Sequence, residues 1–151
     1  MKSLLLIALL FANTLLADFK VGDGLPGITL PDQFDKDYNI RSDDTILIMA
    51  FEKDVSRAIN EYLKTKPGAF LSDHHAKYIS DISSMPSIIT NMFALPKMKK
   101  YPFSILLIYN DFGKQFNRKE EKITVFKLKY GIVKSISYIT DKELPALFNE
   151  K

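Results

Sequence analysis

The chain of 151 residues contains no cysteine. A thiolate is the nucleophile of thiol-disulfide exchange and of cysteine-based peroxide reduction, so this chain cannot carry out either reaction. It can form no disulfide, and a lipid anchor on an N-terminal cysteine is excluded as well. Whatever the protein does, it does without sulfur redox chemistry.

Neither sign of charge dominates the composition. The chain has 21 Lys and Arg against 18 Asp and Glu, a formal net charge of +3. A nucleic-acid-binding domain needs a strong basic excess on one face, so the near-balance argues against nucleic acid as a partner. A short basic cluster at 97–100 is typical of solvated surface, with an acidic partner or anionic lipid as the alternatives.

The first 17 residues have the anatomy of a bacterial export signal. Lys2 precedes an apolar run over 4–12, and charge resumes at Asp18. A membrane-spanning helix needs about 20 apolar residues, so this run is too short, and no later segment is apolar enough. We therefore predict a cleaved signal peptide over 1–17 and a mature periplasmic protein over 18–151, with no stable membrane span.

The mature chain has the length of one domain, without internal repeats. Apolar runs bounded by turn formers predict a small β-hairpin followed by the order β-α-β-α-β-β-α. The strands are predicted over 45–51, 78–82, 103–109, 123–130 and 132–139. The first helix is predicted from about Asp54 to Pro67-Gly68, and the last from Asp141 to Asn149.

The second predicted helix opens at Pro86 and ends at Pro96, because proline is tolerated in a first turn and not in a helix interior. Four side chains form an apolar stripe along it: Ile88, Ile89, Met92 and Phe93. A stripe at helical spacing is typical of a face that packs on the core, so we expect Met92 to be a core residue.

The segment over 21–36 resembles the opening of a known superfamily. It carries Val21-Gly22-Asp23, a proline at 26, and Asp32-Gln33 before a turn at Asp35. In these features it is similar to thioredoxin-like and peroxiredoxin-like proteins, which prefer glycine where Asp35 stands; aspartate also tolerates a left-handed turn. The resemblance implies an α/β, three-layer thioredoxin-like fold, with a central mixed sheet of about four to five strands flanked by helices and an N-terminal β-hairpin.

The resemblance also implies where a binding site would lie. In redox-active relatives the first buried strand leads into a helix whose first turn presents Cys-x-x-Cys. The matching window and the turn that resembles the relatives' cis-proline turn are Lys53, Asp54, Val55, Ser56, Tyr101 and Pro102. We expect a groove between these two turns to hold an extended peptide or protein partner. The alternative is that Pro102 merely ends the preceding loop.

Ser56 raises the possibility of thiol-independent hydrolysis, with His74 or His75 as its base. No Gly-x-Ser-x-Gly elbow surrounds Ser56, and serine is a preferred residue at any helix start. The sequence therefore favours a capping role for Ser56 and predicts no catalytic residue.

His74 and His75 support a second hypothesis, a copper or small-ligand carrier. Imidazole suits copper, as do the thioethers of Met85, Met92 and Met98. Adjacent side chains in an extended segment point to opposite faces, however, which favours a solvated loop.

Together these observations predict an exported, redox-inactive thioredoxin-like protein that binds a periplasmic protein or peptide. No cofactor is predicted, and the oligomeric state is left open. The metal or small-ligand carrier that uses His74 and His75 remains the alternative.

Overall fold

A computed structural model of the protein describes residues 18–25 and 27–150. The predicted signal peptide lies outside the described residues. The strands are β1 Thr29–Pro31, β2 Asp37–Asn39, β3 Ile46–Ala50, β4 Ala76–Asp81, β5 Leu106–Ile108, β6 Ile123–Lys129 and β7 Ile132–Ile139. The α-helices are α1 Lys53–Lys64, α2 Phe70–Asp73, α3 Ser87–Ile89, α4 Leu95–Met98 and α5 Leu144–Leu147.

Five strands form a mixed sheet in the order β5-β4-β3-β6-β7. β3 pairs in parallel with β4, and β4 with β5, whereas β6 and β7 run antiparallel to their neighbours. Tyr130 and Gly131 both have positive φ, which suits the two-residue turn between β6 and β7. The predicted element order and the mixed sheet are confirmed.

The sheet is covered on both faces, which gives the expected three layers. Alternate residues of the strands pack on one face against the helices, with Val55, Ile59 and Leu63 of α1 in the middle of that core. The other face packs against Leu30 and Ile40 of the β1-β2 hairpin region, among others. Because β3 and β5 are buried on both faces, they are continuously apolar, whereas β4 also carries Lys77, Ser80 and Asp81.

The turn of the hairpin explains two residues of the resemblance. Asp35 has φ of 62°, so it takes the left-handed conformation predicted for that position. The Asp32 carboxylate accepts hydrogen bonds from the backbone N–H groups of Phe34 and Lys36, at 2.8 and 3.0 Å. The aspartate thus closes the turn that joins β1 to β2.

β5 is shorter than predicted, and the side chain of Gln33 is the reason. Its amide nitrogen donates to the carbonyl of Phe103 at 2.8 Å, and its amide oxygen accepts from the backbone N–H of Ile105 at 2.9 Å. These backbone groups are therefore occupied by a side chain, and strand pairing begins only at Leu106. Gln33 is 2% exposed and fixes the chain where it enters the sheet.

The helical segment 87–98 departs from the prediction at Pro96. The helix does not end there: α3 passes through a π-helical turn over Thr90–Ala94 into α4, where Pro96 occupies the first turn. Proline cannot donate to the carbonyl four residues back, and the wider π turn directly before it removes the need for that bond. The segment therefore continues to Met98.

No helix within the described ranges, 18–25 and 27–150, has the length and apolarity needed to cross a membrane.

Replacing Gln33 with Ala should destabilise the protein by about 1–3 kcal/mol for each backbone group left unpaired, because the carbonyl of Phe103 and the N–H of Ile105 belong to buried residues and would lose this partner. Urea unfolding measures the change. Gln115→Ala is the matched control, since the half-buried Gln115 lies in a surface 3-10 turn. Equal stabilities for the two variants would contradict the role given to Gln33.

Candidate functional site

A groove of about 320 Å³ opens at the carboxyl ends of β3 and β4. The start of α1 forms one wall, and the helical segment 87–98 with the loop before it forms the other. Its apolar lining comes from Phe51, Ile82, Met85, Ile89, Phe93, Ala94, Met98 and Tyr101, and its polar lining from Glu52, Lys53, Ser56, Arg57, Asn60, Ser80, Asp81, Ser84 and Lys97. Crevices at the carboxyl ends of parallel strands are common ligand sites in α/β proteins.

Three of the predicted groove residues line this groove: Lys53, Ser56 and Tyr101. The other three, Asp54, Val55 and Pro102, do not line it. Asp54 points to solvent and pairs with Arg57 at 3.1 Å, Val55 is buried in the core, and Pro102 is exposed.

The Tyr101-Pro102 bond is trans, as is every other peptide bond among the described residues. The turn at Pro102 therefore differs from the cis-proline turn that it resembles in sequence. The wall of the groove at this point is the ring of Tyr101, which stacks on Phe103 with ring centroids 5.1 Å apart.

Ser56 does not cap the helix, contrary to the sequence-based interpretation. It lies inside α1, and the residue at the cap position is Glu52, whose side chain makes no capping bond. The Ser56 hydroxyl instead lies 2.8 Å from the phenol oxygen of Tyr78 on β4. Burial raises the pKa of Tyr78 above its ordinary value, so the phenol stays protonated and cannot serve as a base.

Asn60 supplies an unused polar group beside the groove. Its side chain is 8% exposed, and its carboxamide oxygen has no hydrogen-bond partner among the described residues. Buried side-chain polar atoms are nearly always paired in folded proteins. An unpaired carboxamide that lines a groove is therefore suited to a hydrogen bond with a bound group.

The far wall of the groove carries an apolar ridge, formed by Ile88, Ile89, Met92 and Phe93. The sequence predicted this stripe and placed Met92 in the core, but Met92 is 65% exposed. The inward positions of the segment are taken by Thr90 and Met98, which are buried. The ridge is therefore turned toward the groove and the solvent, and Ile88 and Phe93 are 67% and 62% exposed.

A buried carboxylate closes the end of the groove nearest β4. The Asp81 side chain is 7% exposed, and it accepts hydrogen bonds from the backbone and hydroxyl of Ser83 at 2.9 and 2.6 Å. Arg118 lies 3.7 Å from its other oxygen and covers the ring of Phe51 at 4.0 Å from the centroid. A β-carbon on Gly113 would overlap Asp81 Oδ2, so glycine is needed there.

His74 and His75 lie at the opposite end of β4 from the groove. The Nδ1 of His74 donates to the carbonyl of Phe70 at 2.8 Å, and its ring packs between Phe70 and Phe148. His75 is exposed with φ of 50°. Since the six-residue β4 spans about 20 Å, the structure does not bring these histidines to Met85.

Metal ligation needs several donor side chains at one point. Within the part of the chain that the structure describes, no three His, Cys, Asp or Glu side chains are grouped so that they could hold a metal ion. Ser56 lines the groove, whereas His74 and His75 precede the opposite end of β4, so neither histidine is placed to act as the base of Ser56.

The sequence matches no protein-family model and no curated protein. The structure, in contrast, is similar to solved structures over most of its length. The peroxidoxin BcpB of Mycobacterium tuberculosis is 13% identical, with a TM-score of 0.55 over 86% of this chain and 94% of that one. The thioredoxin domain of a thiol-disulfide oxidoreductase from Bacteroides vulgatus is 14% identical, with a TM-score of 0.55 over 86% and 96%.

A thio-disulfide isomerase from Thermus thermophilus is 17% identical, with a TM-score of 0.51 over 88% of this chain and 99% of that one. At these identities the similarities establish the fold and not an activity. They confirm the fold that the opening segment suggested, in a chain that has no cysteine.

Replacing Gly113 with Ala should cost about 1–3 kcal/mol of unfolding free energy, because the new methyl group must displace the buried carboxylate of Asp81. In an Asp81→Ala background the same substitution should cost much less, since the space is then free. A double-mutant cycle by urea unfolding measures the difference. An equal cost in both backgrounds would show that the contact between Gly113 and Asp81 does not constrain the groove end.

Proposed function

Since the chain has a thioredoxin-like fold without any cysteine, we propose that it is an exported, redox-inactive module that binds a protein or peptide in the periplasm. The groove between the start of α1 and the apolar ridge is the binding site. Export rests on the signal-like sequence of residues 1–17.

The apolar ridge is the observation that carries this proposal. Ile88, Met92 and Phe93 are each more than 60% exposed, and they are adjacent on one helical segment. Exposure of a contiguous apolar patch to water costs free energy, so large exposed patches of this kind commonly mark interaction sites. The ridge borders the groove at the carboxyl ends of β3 and β4, and Ile89 and Phe93 of the ridge belong to the groove lining.

The extent of the apolar surface favours a macromolecular partner over a small ligand. Ile89 and Phe93 line the groove, whereas Ile88 and Met92 lie on the outer side of the same segment. A small molecule inside the groove would leave Ile88 and Met92 in water. A peptide or protein surface covers both sides of the ridge at once, and methionine adapts well to such contacts.

The polar groups in the groove support binding better than catalysis. Ser56 has no general base, because its hydroxyl pairs with the protonated phenol of Tyr78. Without a thiol, the start of α1 has no nucleophile of the kind that the fold carries in its redox enzymes. The histidine-based carrier has no comparable support from a specific contact.

Cell fractionation tests export directly. The full chain, produced in a Gram-negative bacterium, should appear in the periplasmic fraction, and N-terminal sequencing should begin at Asp18. A variant with Leu6→Lys and Leu9→Lys should stay in the cytoplasm, because charges break the apolar run. Cytoplasmic retention of the unmodified chain would contradict the proposal.

Site-specific photo-cross-linking tests binding. A benzophenone amino acid at position 93 should form a cross-link to a discrete protein in the organism that makes this chain. The matched control position is Tyr130, an aromatic residue on the β6-β7 turn that is 79% exposed against 62% for Phe93. Absence of any adduct at 93, or the same adducts from both positions, would count against the groove as a binding site.

A further inference from the structure

We infer that the partner is an acidic amphipathic peptide segment, with a large apolar side chain that enters the groove and carboxylates that meet the lysines on its rim. This inference rests on the proposed binding function and adds the chemical class of the partner. It follows from the charges around the groove, the start of α1, and the free carboxamide of Asn60.

The two acidic side chains of the groove are already engaged inside the protein. Asp81 accepts two hydrogen bonds from Ser83 and lies beside Arg118. Glu52 accepts the backbone N–H of Glu121 at 3.0 Å. Neither carboxylate is therefore available to attract a basic partner without loss of an existing contact.

The lysines of the groove are not engaged in this way. Lys53 stands at the start of α1 and Lys97 on the opposite wall, in α4, and both are exposed. Neither makes an ion pair within the described part of the chain, whereas Arg57 is paired with Asp54. Lys99 and Lys100 lie two and three residues after Lys97 and add to the positive potential. The two groove lysines, Lys53 and Lys97, therefore place positive charge on opposite walls.

The start of α1 adds to the same preference. The helix has 12 residues, and the Glu52 side chain at its cap position accepts no hydrogen bond from the first turn. Asp54 in the first turn points to solvent and pairs with Arg57. The helix dipole at this end favours a further negative group, and Lys53 lies at the same point. A carboxylate on the partner is the group that satisfies both.

Asn60 provides an independent sign of a ligand. It lies two turns into α1, lines the groove, and is more than nine-tenths buried with its carboxamide oxygen unpaired. Such an oxygen accepts a hydrogen bond from an N–H group, which every peptide backbone carries. A peptide can supply a complementary group for each feature of the groove. Its N–H pairs with the Asn60 oxygen, its apolar side chain contacts the apolar lining, and its carboxylate meets the lysines.

Selection of random-sequence peptides displayed on phage tests the inference on the mature chain, residues 18–151. Enriched peptides should carry Asp or Glu within a few positions of a large apolar residue. Affinity of a selected peptide should fall about tenfold or more for Phe93→Ala, as expected for a central aromatic contact. It should also fall about tenfold for the pair Lys53→Gln, Lys97→Gln, and weaken between about 50 and 500 mM NaCl.

The control variants are Tyr130→Ala and Lys134→Gln, an exposed aromatic residue and an exposed lysine on the β6-β7 hairpin. They should leave the affinity unchanged. Asn60→Asp introduces a carboxylate into the groove and should lower the affinity for acidic peptides more than the affinity for neutral ones. A merely structural defect would not produce this selectivity.

The outcomes separate the two proposals. Peptides that need Phe93 but are neutral or basic, or whose affinity ignores the lysine pair, overturn the acidic class and leave peptide binding intact. Enrichment that is insensitive to Phe93→Ala, or no enrichment at all, overturns both. Groove-dependent binding of dodecanoate in the absence of any peptide binding also overturns both, in favour of a small amphipathic anion.

Discussion

The parallel pairing of β3 with β4 and of β4 with β5 determines where everything else in this protein lies. Parallel strands end at the same edge of the sheet, and each connection must return across a face to start the next strand. Those returns are α1 and the helical segment 87–98, so their ends bracket the carboxyl ends of β3 and β4. The position of the groove is a consequence of this topology.

The residues at that edge of the sheet determine the electrostatic properties of the groove. Redox enzymes with this fold use a thiolate at the start of the helix after the first buried strand, where the helix dipole stabilises negative charge. Here the dipole remains, Lys53 stands beside it, and the cysteines are missing. An environment that would stabilise a thiolate also favours a carboxylate, and this is the physical basis of the preference inferred above for an acidic partner.

Element order could be predicted from the sequence, because β3 and β5 lie in continuous apolar runs and the turns carry Gly, Pro and Asp at the required places. The environment of individual side chains could not. Gln33 shortens β5 through contacts across 72 positions of sequence, and Ser56 pairs with Tyr78 across 22. The apolar spacing over 88–93 predicted a helix correctly and its buried face wrongly, since periodicity alone does not say which side meets the core.

The unfolding free energy of an Ile88→Ala, Met92→Ala double variant tests most directly whether the ridge is exposed, as a binding surface for a partner must be. If the two side chains are exposed as described, the variant should unfold within about 1 kcal/mol of the parent protein. If they instead pack in the core, the loss should be about 2–5 kcal/mol for each, and the binding surface proposed for this protein would not exist.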